Sequence, residues 1–170
     1  WVRNRCLPVI AAHLNMDAGN REGWLAGLSE RILAEKNEEL TLGVCFPTGK
    51  ELAEWKGEYE VTAYGFYEDT NHPEDYDEKL EIRMKEIVDD FKPDMVHIFG
   101  TEFPHTLAMV RAFNNPDKTL IGIQGLCFVC ADAYLEGLPE HVVKRSTLRD
   151  FLKKDSILEQ QKKFYRRGAY

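Results

Sequence analysis

The sequence has no apolar run approaching the ~20 residues that a membrane-spanning helix needs, and its first residues lack the order of a secretory signal. Internal repeats and low-complexity tracts are missing as well, which excludes solenoids and disordered arrays. Cysteine is sparse: Cys6, Cys45, Cys127 and Cys130 are scattered through apolar sequence, a usage that suits a reducing cytoplasm rather than a disulfide scaffold. The "CFVC" pair at 127–130 has redox or zinc spacing, yet no second ligand pair accompanies it and both intervening residues are apolar, so packing is the expected role. No G-x-S-x-G elbow, H-E-x-x-H, G-x-G-x-x-G or G-x-x-x-x-G-K-[ST] occurs, so nothing specific supports a hydrolase, a metalloenzyme, a dinucleotide site or an ATP/GTP loop.

What remains is an ordinary globular composition, 44% hydrophobic and 30% charged over 170 residues, enough for a single compact domain spanning residues 1–170. Trp1 stands where an initiator methionine is usual and a helical pattern still runs at 164–170, so the expectation is a piece of a longer protein. The net charge of -7 hides an asymmetry: from His141 onward nine Lys/Arg face three Asp/Glu, a surplus of +6 that leaves -13 on residues 1–140. An acidic body is a poor ligand for nucleic acid, so no nucleic-acid partner is expected. The basic tail reads as a solvated helix face, with an acidic neighbour, another domain or an anionic membrane surface as alternatives. The expected location is therefore cytoplasmic, with peripheral membrane association as the variant.

From Gly23 onward the pattern alternates between the helical and strand periods. "WLAGLSERILAEK" sets Leu25, Leu28, Ile32 and Leu33 on one helical face. "ELTLGVCFP" reads as a strand stopped by Pro47, with Gly43 marking close packing, and "YEVTAYGFY" as a second strand after a short helical candidate at "GKELAEWKG". Tyr76, Leu80, Met84, Ile87, Val88 and Phe91 recur at helical spacing until Pro93, with Glu74, Asp75, Asp77 and Glu78 expected in the first turn as dipole-complementing carboxylates. "MVHIFG" is a third strand, "PHTLAMVRAFNN" a helix opened by Pro104, and "TLIGIQGL" a fourth strand; residues 138–170 read as helix with a break near 145–147. "LPVIAAHL" suits either a strand or a helix starting at Pro8, and in the latter case only Trp1 and Val2 remain of a first strand. Such alternation implies parallel pairing and a three-layer, Rossmann-like α/β domain with a mainly parallel sheet.

In such a sheet, ligands bind beyond the carboxyl ends of the strands. Gly100, Thr101, Glu102 and His105 fall there, with His97 inside the strand, and Glu102 with His105 is a carboxylate–imidazole pair suited to general acid/base work or sugar-hydroxyl recognition. Thr101 and Glu102 also suit plain helix capping, and His97 a satisfied core position. Gln124 and Gly125 end the next strand on the same side. "NMDAGNREGW", 15–24, is a turn-rich loop ahead of an amphipathic helix and can offer backbone N–H groups to a phosphate.

Taken together, "EGWLAGLSERILAE", "ELTLGVCFP", "FKPDMVHIFGTEFPHTLAMV" and "LIGIQGL" resemble the N-terminal domain of a bacterial glycosyltransferase of the two-Rossmann GT-B architecture, retaining family 4. The resemblance implies a second, C-terminal domain that holds most of a nucleoside-diphosphate sugar donor. The present domain would supply contacts to a saccharide or lipid-linked acceptor. It places a diphosphate loop at Glu22, Gly23 and Trp24 and cleft-facing positions at Asn4, Arg5, His97, Thr101, Glu102, His105, Gln124 and Gly125, and it implies neither a catalytic metal nor a cofactor. Glu22, Phe99 and Gln124 depart from the glycine and histidines that many relatives carry at those places. A nucleotide-sugar epimerase of the same architecture, or a non-catalytic sugar- or nucleotide-binding module, are the alternatives.

Overall fold

A computed structural model describes residues 1–16 and 23–169 of the chain, residues 23 and 24 as backbone alone. Strands β1 (Gly43–Thr48) and β3 (Thr62–Tyr67) pair in parallel, Gly43 opposite Thr62 and Thr48 opposite Tyr67, and the short β2 (Lys56–Glu58) adds antiparallel to the other edge of β3. A separate parallel pair joins β4 (Val96–Phe99) to β5 (Thr119–Gly122). The result is a mixed α/β domain with two small sheets, three-stranded and two-stranded. The single regular Rossmann sheet expected from the alternation is not what the ladder shows, because its middle is only a few residues long. There, Val2 N–H donates to His97 O (2.9 Å) and Val2 O accepts from Phe99 N–H (3.0 Å), while Arg3 N–H donates to Cys45 O (3.0 Å) and Cys45 N–H to Trp1 O (2.8 Å). Val2 is thereby bridged in parallel to Cys45 on one side and Ile98 on the other.

Period-2 alternation sorts the strand side chains to two apolar clusters. Val44, Phe46 and Ala63 face Leu7, Ile10 and Ala11, so "LPVIAAHL" resolves as helix α1 (Pro8–Leu14) with Pro8 in its first turn. Cys45, Tyr64, Phe66, Val96 and Ile98 face the other way, onto Leu80, Met84 and Ile87 of α3 (Lys79–Phe91) and Ala108 and Met109 of α4 (Pro104–Phe113). Burial of both faces explains the near-continuous apolar reading of β1 and β3.

Several boundaries differ from the pattern. Pro47 lies inside β1 instead of ending it. The N–H and C=O of Cys45 both serve residues 1–3, so the nitrogen of Pro47, two residues on, points the same way past the place where the chain leaves for α1, where no donor is required. Helix α2 (Gly23–Glu35) buries Leu25 and Ser29 but leaves Leu28 38% exposed, so its inward face is narrower than the four apolar residues suggested. Helix α3 starts at Lys79, placing Glu74, Asp75 and Asp77 ahead of it and Glu78 at its N-cap. Asp77 Oδ1 still accepts the Lys79 N–H at 3.0 Å, but Glu74 is buried and meets Lys163 and Arg166 at 3.6 and 3.7 Å instead of capping. The C-terminal part divides into α5 (Cys127–Ala133), α6 (Glu140–Val143), α7 (Leu148–Lys153) and α8 (Ile157–Arg167), with a second break at 154–156 besides the expected one. Among the described residues no helix is long and apolar enough to cross a membrane.

Candidate functional site

Beyond β4 the chain turns at Gly100, whose φ of 95° lies in a region that glycine alone enters cheaply. Space dictates glycine as well, since a Cβ there would stand 2.3 Å from Glu102 Oε2. The turn folds Glu102 back over the strand end, where Oε2 accepts the Thr101 N–H at 2.9 Å. Thr101 Oγ1 donates to Gly125 O (3.0 Å), lacing the loop after β4 to the loop after β5, and Thr106 Oγ1 donates to Gly100 O (3.0 Å). Glu102 Oε1 lies 3.6 Å from where a Cβ on Gly125 would sit, so position 125 borders the carboxylate at ordinary contact distance.

Asn4 comes to the same spot from the segment between the sheets. Its Nδ2 is 3.3 Å from the Cβ position of Gly100, and its Oδ1 is buried with no hydrogen-bond partner among the described residues. An amide oxygen of that kind is a ready acceptor for a hydroxyl, because an unsatisfied buried carbonyl carries its full desolvation cost until something donates to it. Asn4, Thr101, Glu102 and Gly125 thus form one polar cluster at the carboxyl end of β4 and β5. Gln124 is exposed next to Gly125, and Arg5 is half-buried next to Asn4.

His105 belongs to a different arrangement. Its side chain has no exposed surface, its Nδ1 lies 2.8 Å from Glu68 Oε2, and its backbone N–H donates to Glu68 Oε1 at 2.8 Å. A carboxylate facing Nδ1 requires that nitrogen to carry the proton. The ring stacks on Phe103 (5.8 Å, 8°) and tilts against Phe66 (5.3 Å), and Nε2 is buried without a partner. The carboxylate that orients His105 is therefore Glu68, not Glu102. Since Glu68 follows β3 directly, the pair clamps the end of that strand to the first turn of α4. Glu68 also fills the anion-favouring N-terminus of α4, which has no side-chain cap from Phe103.

His97 lies on the opposite face of β4 from Val96 and Ile98, its ring 4.0 Å from Phe99 and 6.5 Å, edge-on, from Trp1. Burial lowers its pKa from the ordinary histidine value. Gly23 and Trp24 open α2, and Glu22 lies outside the described residues.

Nucleophilic cysteine chemistry has no support. Burial pushes the Cys6 thiol up to about 12 and the Cys45 thiol to about 11, and raises Cys127 as well; Cys130 is exposed, contrary to its expected packing role. His72, Glu74 and Asp75 bring ligand atoms within 4.8 Å of one another, but Lys163 and Arg166 already face Glu74 and meet its charge. Cavities of about 810 and 440 Å³ open instead at the amino ends of the strands, one bordered by Leu40, Leu42, Tyr59 and Val61, the other by Pro93 and Met95. Neither contains Asn4 or Glu102, and the convergence of polar groups makes the carboxyl end the better candidate.

Glu68, the partner of His105, is the residue that local spacing missed. A carboxylate immediately after a buried strand, in "GFYED", was the available signal. Compared with protein-family models, with curated proteins and with solved structures, the chain matches none.

Proposed function

We propose that the chain is the acceptor-side domain of a retaining glycosyltransferase of GT-B architecture, moving a sugar from a nucleoside-diphosphate sugar to an acceptor hydroxyl. The observation that carries the reading is the Asn4, Thr101, Glu102 and Gly125 cluster around Gly100. The path of the chain supports it. Taking residues 1–3 as the centre of one doubly wound sheet, the order becomes β2-β3-β1-centre-β4-β5, and the chain passes first to one side and then to the other. The crevice between the central segment and β4 is then the topological switch point, where open α/β sheets take their ligands. Asn4 stands at its mouth.

In this reading Glu102 Oε1 accepts a hydrogen bond from the acceptor hydroxyl, and Asn4 Oδ1 accepts one from a neighbouring hydroxyl of the same acceptor. A second domain supplies the donor contacts. His105 and Glu68 act as positioning residues that hold β3 against α4 beneath the site.

The test uses the two-domain protein that this reading requires, with UDP-, GDP- and ADP-sugars and acceptor mixtures, following release of nucleoside diphosphate. One donor should be hydrolysed slowly and faster with acceptor. Glu102→Gln, which trades a charged acceptor for a neutral one, should lower acceptor-dependent kcat/KM by about tenfold to a hundredfold and leave acceptor-free hydrolysis near wild type. Silence across the panel from folded protein removes the transferase reading, whereas transfer that Glu102→Gln leaves intact removes only the site.

A further inference from the structure

Helix α7 carries Leu148, Phe151 and Leu152 at spacings that put all three on one face, and they are 76%, 76% and 72% exposed. Single exposed leucines need no explanation, but three large apolar side chains side by side on one helix do. The helix is not a frayed tail. Thr147 and Asp150 close a capping box, with Asp150 N–H to Thr147 Oγ1 at 3.2 Å and Thr147 N–H to Asp150 Oδ2 at 2.8 Å, and Lys154 terminates it in the left-handed region. It makes no extensive contact with any other described element.

Its surroundings are cationic. Arg145 precedes it, Arg149 and Lys153 lie one helical turn apart beside the apolar face, and Lys154 follows; of the nearby acids, Asp150 is committed to the cap. The body of the chain, residues 1–140, carries -13. A six-residue helix is about 9 Å long, and its three apolar side chains cannot supply the ~800 Å² per partner of a stable protein–protein interface. A lipid surface demands no such complementary area, and apolar side chains flanked by Lys/Arg are what binds at its headgroup boundary.

We propose that α7 with its basic flanks is a peripheral docking site for an anionic lipid bilayer. Leu148, Phe151 and Leu152 enter the boundary between headgroups and acyl chains, and Arg145, Arg149, Lys153 and Lys154 meet lipid phosphates. The acidic body is repelled by the same surface, which orients the chain with α7 toward it. The proposal is independent of the sugar-transfer reading.

The test is sedimentation of the 170-residue chain with vesicles of phosphatidylcholine alone and of phosphatidylcholine mixed with phosphatidylglycerol. Binding to the mixed vesicles, weakened by added salt, is expected, with little binding to phosphatidylcholine. Arg149→Gln and Lys153→Gln should each lower the partition coefficient on the order of fivefold, and Phe151→Ser about tenfold. All three side chains are on the surface, and unchanged melting curves verify that the variants fold. Failure to bind the mixed vesicles, equal binding to both vesicle types, or binding unmoved by Leu148→Ser with Phe151→Ser overturns the proposal. So does a concentration-dependent dimer abolished by those same substitutions, which gives the face to a second copy.

Discussion

His105 gives its whole side chain to the interior, and its cost and value follow from what it faces. Glu68 is equally deep, with a side chain 2% exposed, so each group depends on the other for polar contact. Breaking a buried pair by removing one partner leaves an uncompensated charge, whereas replacing the donor by another donor does not. His105→Ala is therefore expected to lower unfolding free energy by about 3 kcal/mol, and His105→Asn, whose amide N–H₂ can approach Glu68 Oε2, by about half of that. Urea melts of the three proteins measure both. Equal losses would mean that the imidazole acts by volume alone. Spacing in the sequence had put Glu102 beside His105, because both stand at the mouth of α4. The contact that forms spans 37 residues instead, from the end of β3, and no local periodicity encodes a partner at that distance. The capping alternative for Thr101 fails for the same reason, since its hydroxyl reaches Gly125 O, 24 residues on, and the side chain that caps α4 is that of Glu68.

At the scale of elements, strands and long helices were legible where burial imposes a period. β3, β4, α3 and α4 lie within the stretches that alternation marked out, and β1 overruns its stretch by Thr48 alone, because their inward faces meet the two apolar clusters. Ends and short pieces were less so: β2 is three residues long and pairs through its backbone, and the division of 138–169 into α6, α7 and α8 depends on caps such as the Thr147 box. Gly43 is a case where the sequence hint has a measurable counterpart. A Cβ there would lie 2.6 Å from the Phe91 ring, so the start of β1 and the end of α3 touch only because position 43 has no side chain. Gly43→Ala should cost about 1–3 kcal/mol from overpacking, and combining it with Phe91→Leu should recover part of that loss. A double-mutant cycle by urea unfolding reads the coupling. Strict additivity would show that the glycine is there for some reason other than Phe91.

At the scale of the molecule, two sheets behave as one body only if something crosses between them, and the crossing is the backbone of residues 1–3. The sequence had left Trp1 and Val2 as the remnant of a first strand, and the ladder puts Val2 between β1 and β4. What pattern alone did not convey is how little backbone does this: five hydrogen bonds, three to β1 and two to β4. The candidate site depends on the same crossing, since Asn4 reaches Gly100 only because Arg3 and Val2 hold the chain between Cys45 and Ile98. Val2 contributes in two separable ways, by a side chain 1% exposed in the core and by its N–H to His97 O. Val2→Ala removes most of the first and keeps the second, and should cost about 2 kcal/mol with one cooperative transition preserved. Val2→Pro also removes the donor and places a ring at the junction, for a loss of roughly 3 kcal/mol or more. If the junction couples the sheets, the proline variant should lose amide protection in β4 and β5 before β1 and β3 under native-state hydrogen exchange, while the alanine variant loses it uniformly. Uniform loss in both would mean that α3 packed on α4, bridging the two sheets from one face, is the stronger tie between the halves.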